Sequence, residues 1–345
     1  MFVQFNIYFV ALTALLLSIS FNYLLLFLSQ KNMLKTINKI DENRLNKNNT
    51  PPFGGVAISL AFFIAAQFLG EANSIFVQIG TFGILIALVG FIDDIFNLHW
   101  KYKLILQFTF VSLPLTNLRL YLNFETLINL DLNNYLNYFV SIIWIILLIN
   151  SINFIDNMDS LAATVASSTC IQAIALTYYL NQNNLTDILV VLLFSIFGFL
   201  LFNLPPAKLY LGDSGSLFIG FLLGFLSILF NWNPDGFHTF SNTLSPLLLF
   251  FTIPVLDFLT VLKHRLTNNQ SPFSGGTDHS SHRLLALGYT EKKILVITIC
   301  YSFFNFMIIF LHLITDGVLS NAFLGMYIIQ FVYIYFKIQK LQILK

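Results

Sequence analysis

Eleven apolar segments of roughly membrane-crossing length leave this chain very few folds. About 20 apolar residues in helical form cross the hydrocarbon core of a bilayer. Such runs lie at 5–28, 53–70, 75–92, 104–120, 136–155, 161–180, 186–203, 214–230, 244–263, 294–314 and 317–336. Within lipid every backbone N–H and C=O needs a protein partner, which a helix supplies from its own turn. The expected fold class is therefore all-α, a polytopic membrane protein of about 11 transmembrane helices in one domain over 1–345. Composition agrees, with 57% hydrophobic and 10% charged residues and a mean hydropathy of +0.78; soluble domains carry about a quarter charged. No basic region precedes the first run and no convincing cleavage site follows it, so Phe5 to Leu28 reads as a retained helix.

The fourth run is the weakest, since it holds Pro114, Asn117 and Arg119. If it failed to span, every later helix would invert. Placing the N-terminus outside puts every Lys and Arg except Arg119 on one face. That asymmetry marks the face as cytoplasmic and puts the C-terminus there too. A net charge of +1 without a basic, aromatic-laced patch excludes nucleic acid as a partner. Cys170 and Cys300 sit in apolar runs without ligand spacing, so neither a disulfide framework nor a zinc site is expected.

The chemistry-bearing residues collect in the internal connections. Asn150, Asn153, Asp156 and Asp159 recur at steps of three in NSINFIDNMDSLA, so they share a strip of one helix or the walls of a turn at its end. Polar clusters at the edge of a membrane helix are costly, which makes them functional candidates. Asp93 and Asp94 end another apolar run, with Lys101, Lys103 and Gln107 following. Adjacent carboxylates repel unless a cation or shared proton intervenes, and hard cations favour oxygen ligands. In Asn203 to Ser216, small residues flank Asp213 where a helix begins, which suits a phosphate at the amides and a metal at the carboxylate. The pair Gly54-Gly55 opens another helix where backbones can approach closely. Asp257 is the one acid placed at membrane depth, with Lys263 or Arg265 as its expected partner. The long loop after the ninth run offers Arg265, Asp278, His279, His282 and Arg283, a basic and imidazole-rich lid suited to a diphosphate.

Five of these stretches, at 50–55, 93–107, 150–162, 203–216 and 265–288 in chain order, resemble the polyprenyl-phosphate N-acetylhexosamine-1-phosphate transferases, the membrane superfamily of WecA and MraY. The resemblance runs from about residue 45 to 290 and is most specific in NFIDNMDSLA followed by KLYLGDSGS. It implies transfer of a sugar-1-phosphate from a UDP-N-acetylhexosamine to undecaprenyl phosphate with release of UMP, initiating cell-envelope glycan synthesis at the bacterial inner membrane, with the active site on the cytoplasmic face. It also implies a magnesium cofactor, with manganese as the other candidate ion, and a homodimer. By the resemblance Asp213 is the metal ligand, with Asn153 beside it, and one of Asp93 and Asp94 is a base toward the lipid phosphate, Asp93 being preferred. Lys103 matches a phosphate-binding lysine, and Asn153, Asp156 and Asp159 match a helix end near the nucleotide. Asn203 matches a uracil-reading residue and Tyr210 an aromatic that stacks on the base. His279, His282 and Arg283 fall in a histidine loop over sugar and diphosphate. The run SPFSGGTDHSSHRLLALG looks more like the N-acetylglucosamine-1-phosphate branch than the phospho-muramoyl-pentapeptide branch.

The chain departs from the family pattern in three places. Asn157 and Ser160 stand where glycine is usual, Pro52 stands where a basic residue is common, and His-x-His-His is reduced to His279-Ser-Ser-His282. Two other classes stay open on residues alone. An intramembrane prenyltransferase would show two Asp-rich motifs of similar form, whereas the second motif here is NxxNFxDxxD with a Gly-Asp element after it. A secondary transporter would hold its acids near the midplane between inverted repeats, whereas these groups gather on one face.

Overall fold

The structure is a computed structural model that describes residues 6–31, 50–70, 74–122, 134–230, 251–272, 276–315 and 317–341. Among the described residues it is all helical. In chain order the helices are α1 (Ile7–Gln30), α2 (Gly54–Ala66, extended by a 3-10 turn at Gln67–Leu69), α3 (Ser74–Phe96), α4 (Trp100–Leu118), α5 (Asn134–Ile155) and α6 (Leu161–Tyr179). There follow α7 (Asn183–Asn203), α8 (Gly212–Leu229), α9 (Thr252–Thr267), α10 (Ser280–Ala286), α11 (Glu291–Ile314) and α12 (Gly317–Gln339).

Eight of these helices are long and apolar enough to cross a membrane: α1, α3, α5, α6, α7, α8, α11 and α12. By length and composition they suit a multi-pass membrane protein. The expected runs at 53–70, 104–120 and 244–263 also carry helices, but α2 and α9 are short and α4 is less apolar. The part of the last run before residue 251 lies outside the described residues.

The weakest expected span nevertheless runs the length of its neighbour. Gln107 on α4 accepts a 2.9 Å hydrogen bond from Asn150 Nδ2 near one end of α5. Beyond the other end of α4, the Tyr121 ring lies 5.0 Å from Tyr138, and Leu122 N donates to Ser141 Oγ at 2.8 Å. The helix is therefore antiparallel to α5, and Pro114 does not break it. Packing against α3 and α5 compensates for what its sequence lacks.

α8 is the centre of the bundle, packed on α2, α3 and α5. It is buried on nearly all sides, and beyond its polar first turn it is almost wholly apolar, as a helix enclosed by others must be. Close packing there depends on absent side chains: a Cβ on Gly55 of α2 would fall 1.9 Å from the Gly215 backbone nitrogen. The expected close approach at the paired glycines is therefore real, and Gly54 N and Gly55 N donate to Tyr210 O and Leu211 O at 3.0 and 2.9 Å. Away from the centre, α1 packs on α7, α6 on α7 and α11, and α9 on α5 and α12. Buried polar contacts hold several of these seams, among them Ser18 Oγ to Ser195 O at 2.6 Å and Gln172 Nε2 to Ser302 Oγ at 2.6 Å. In an apolar medium such groups associate because no solvent competes for them.

Candidate active site

Helix ends from distant parts of the chain meet at one corner of the bundle. Asp93 closes α3, Lys103 lies in the first turn of α4, Asn153 in the last turn of α5, and Asp213 in the first turn of α8. The Lys103 ammonium lies between two carboxylates, 2.9 Å from Asp93 Oδ2 and in very short contact with Asp213 Oδ2. Asn153 Nδ2 donates to Asp213 Oδ1 at 2.8 Å and to Ser216 Oγ at 2.9 Å. One ammonium thus offsets two acids, and an amide fixes the rotamer of one of them.

The two members of the acidic pair do different things. Asp94 turns toward the start of α8, where its oxygens accept from Asp213 N at 2.9 Å and Ser214 N at 3.1 Å. A carboxylate at a helix N-terminus satisfies free amides and meets the positive end of the dipole. Gly212 makes the approach feasible: it has φ +71°, and a Cβ there would lie 2.7 Å from Asp94 Oδ2. Asp93 instead accepts from Leu98 N through Oδ1 at 2.7 Å and faces Lys103 with Oδ2.

The strip expected from the threefold spacing divides at the end of α5. Asn150 points to α4, donating to Gln107 and to its own Ile146 O, and Asn153 points to Asp213. Helix α5 ends at Ile155, so Asp156 and Asp159 belong to the turn that follows. Asp156 is half-buried there, and Asp159 Oδ2 accepts from Ala207 N at 2.9 Å. Ser160 has φ +62°, a left-handed conformation that explains why glycine suits this position. Its amide donates to Asn203 Oδ1 at 2.9 Å and its hydroxyl to Asn203 O at 2.7 Å.

Asn203 is thereby a clamp. Its Nδ2 donates to Leu209 O at 2.8 Å, so both ends of the amide are engaged inside the protein and the side chain is buried. The 156–160 turn and the 204–211 segment thus share one fastener. Tyr210 is also buried, and its backbone bridges Pro51 O and Gly54 N.

The histidine loop is held more tightly than a free lid. Asp257 does not pair with Lys263 or Arg265: its Oδ2 lies 2.8 Å from His279 Nδ1 and its Oδ1 accepts from Ser280 N at 2.7 Å. The reason is that the loop folds back over α9 and brings His279 to the same depth. Arg265 instead forms a two-pronged pair with Asp278, at 2.9 and 3.0 Å, and donates to Pro272 O. Burial alone would raise the Asp278 carboxyl, but the Arg265 guanidinium holds it below the usual carboxylate range. Arg283 is buried and donates to Asp278 O and to the carbonyls of Ile338, Gln339 and Leu341 at the end of α12. Both guanidiniums expected to meet a diphosphate are thus built into the loop. His282 is fully buried beside His279, and neither of its ring nitrogens has a hydrogen-bond partner. Burial, with His279 adding to it, pushes its pKa down to about 4.

Asp93 and Asp213 meet across Lys103, whereas Asp156 belongs to the turn after α5. Among the described residues no group of three or more His, Cys, Asp or Glu side chains is disposed to hold a metal. Sequence reasoning missed Ser160, Ser214 and Ser216 as architectural partners, although the LGDSGS run carried the last two.

Comparison with known proteins points the same way. Residues 76–231 match the model of glycosyl transferase family 4. A probable undecaprenyl-phosphate N-acetylglucosaminyl 1-phosphate transferase of Bacillus subtilis (strain 168) is 27% identical over 84% of this chain and 79% of its own length. A phospho-N-acetylmuramoyl-pentapeptide-transferase of Staphylococcus aureus (strain JH9) is 28% identical over 74% of this chain and 83% of its own. The decaprenyl-phosphate N-acetylglucosaminephosphotransferase of Mycobacterium leprae (strain TN) is 34% identical over a shorter stretch, 31% of this chain and 29% of its own.

Proposed function

Because the chain belongs to the polyprenyl-phosphate N-acetylhexosamine-1-phosphate transferase superfamily of WecA and MraY, we propose that it transfers N-acetylglucosamine-1-phosphate from UDP-N-acetylglucosamine to undecaprenyl phosphate. The observation that carries this reading is the Asp93–Lys103–Asp213 cluster with Asn153, set at the start of α8. It combines a fixed ammonium with two carboxylates at a helix start, which suits phosphoryl transfer, where alignment and charge neutralisation supply most of the rate.

A lipid-phosphate oxygen attacks the sugar-linked phosphorus of the donor. The new P–O bond forms as the anhydride bond to the nucleoside phosphate breaks, and UMP leaves with that electron pair. A phosphate monoester has a second pKa of about 6, so much of the lipid phosphate is already dianionic at neutral pH. Asp93, whose Oδ2 faces Lys103, takes the remaining proton when the monoanion binds, and Lys103 keeps positive charge beside the phosphates. Asp94 has a supporting part, since it caps α8 and aims Asp213.

The donor set fits a hard divalent cation. Asp213 and Asp93 already converge on one cation, the Lys103 ammonium, and magnesium is commonly held by one or two carboxylates plus substrate phosphates. Asp213 would hold it, with Asn153 bracing the carboxylate, and the bound ion would neutralise charge on the diphosphate.

The basic-residue asymmetry supports eleven spans with this corner on the cytoplasmic side of a bacterial inner membrane, and the antiparallel course of α4 is consistent with it. Purified protein given UDP-N-acetylglucosamine and undecaprenyl phosphate should release UMP and form a lipid-diphosphate sugar, with Asp213→Ala inactive. UMP release from none of several UDP-N-acetylhexosamines would end this reading. The Staphylococcus aureus relative favours phospho-N-acetylmuramoyl-pentapeptide transfer as a second reading, and the mass of the lipid product separates the two.

A further inference from the structure

Resting on the transferase reading, we propose that Asn157 and Ser281 form a latch that sets the histidine loop over the sugar end of the donor, making both positioning residues. Asn157 lies in the turn after α5, where its Nδ2 donates to Phe154 O at 2.8 Å. That bond closes the last turn of the helix and leaves Oδ1 to accept from the Ser281 hydroxyl, 124 residues along the chain. Ser281 is buried in the first turn of α10. A serine there commonly turns back on its own helix; this one crosses to another element.

The neighbouring contacts give the latch its reach. The Phe154 ring meets His279 edge-on at 6.0 Å, and the Arg265 guanidinium lies 5.4 Å from the same ring. Asn153, one residue earlier, grips Asp213. The short stretch 153–157 therefore touches Asp213 at one end and the loop at the other. It is one direct route by which a shift of the loop reaches Asp213.

The two latch positions are also two places where the chain departs from the pattern it resembles, with Asn157 for glycine and Ser281 for histidine. A glycine would offer the loop no side chain, and an imidazole is larger than a hydroxymethyl group. Here the larger group stands on the helix end and the smaller one on the loop, and they meet as acceptor and donor. Their joint effect falls on how the loop sits over the sugar end of the donor.

The test uses the full-length protein in lipid nanodiscs, with Asn157→Gly, Ser281→Ala, the double variant and Ser281→Thr. Hydrogen–deuterium exchange across 276–288 and separate KM values for UDP-N-acetylglucosamine and undecaprenyl phosphate are the readouts. Each single variant should speed exchange in that segment and raise the donor KM about five- to tenfold, the size of one lost hydrogen bond. The acceptor KM should stay within about twofold, and the double variant should be no worse than either single, as coupled residues behave. Ser281→Thr, which keeps the hydroxyl, should resemble the parent. Additive losses, unchanged exchange, or an equal rise in both KM values would overturn the latch. Exchange needs no turnover, so loosening at 276–288 in a protein that transfers no sugar phosphate keeps the latch and removes the transferase reading. Transfer with unchanged exchange does the reverse.

Discussion

The carboxylate of Asp94 holds the backbone amide of Asp213 at 2.9 Å, so one acid of the adjacent pair positions the other helix that carries the site. Asp94→Ala should therefore act on the fold, lowering stability by about 1.5–3 kcal/mol, the range for hydrogen bonds to a charged group. Asp93→Asn should leave the apparent melting temperature within a few degrees and slow transfer only a few-fold at neutral pH, more so toward about pH 6, where the lipid phosphate monoanion is populated. Thermal unfolding in detergent beside UMP release would distinguish them, and equal loss of stability in both variants would contradict the division of labour.

Lys103 separates two carboxylates that would otherwise face each other. Lys103→Met should destabilise the corner by about 3 kcal/mol or more, as removal of one partner from a buried ion group does. Adding Asp93→Asn should recover part of that loss, because only one charge then remains. A double variant less stable than Lys103→Met alone would show that the ammonium does not act between the two acids.

His282 gives stability a pH dependence of definite sign. Its folded-state pKa, about 4, lies below the 6.5 of a free imidazole. The unfolded chain therefore binds the proton first as pH falls. Stability from this group is full above pH 6.5, declines through the interval to pH 4 and is flat below it, with an upper limit of about 3 kcal/mol. Melting curves from pH 7.5 to 4.5 should show this slope, and His282→Phe should flatten it.

Much of this arrangement was legible in the sequence, and what was not has physical causes. The apolar runs gave the helices, because lipid allows few alternatives. That Asp93, Lys103, Asn153 and Asp213 share one site was implied by the family resemblance and not by spacing, since these helix ends meet only in the fold. The separate tasks of Asp93 and Asp94 were hidden because neighbours on a helix point about 100° apart, and only packing shows what each direction meets. Asp257 was expected to pair with a nearby basic residue, yet a loop closure brought His279 to it across 22 positions. The clamp made by Asn203 was hidden because a buried polar clamp and a binding residue are the same residue type in a sequence.

The Asn203 clamp can be tested by an isosteric change. Asn203→Asp keeps the acceptor for Ser160 N but sets a carboxylate oxygen against Leu209 O, where Nδ2 now donates at 2.8 Å. The expected cost is about 2–3 kcal/mol, the penalty for a buried polar group facing the wrong partner. Unchanged stability with a raised donor KM would instead return Asn203 to base recognition.

Arg283 grips the carbonyl end of α12, a helix with few fully buried side chains. The last helix therefore cannot pivot without pulling on the residue next to His282. Detergents or bilayers of mismatched thickness, which change the tilt of such a helix, should register as altered sugar-nucleotide affinity while the protein stays folded. Kinetic constants for variants of this enzyme are best compared in one lipid of fixed acyl length.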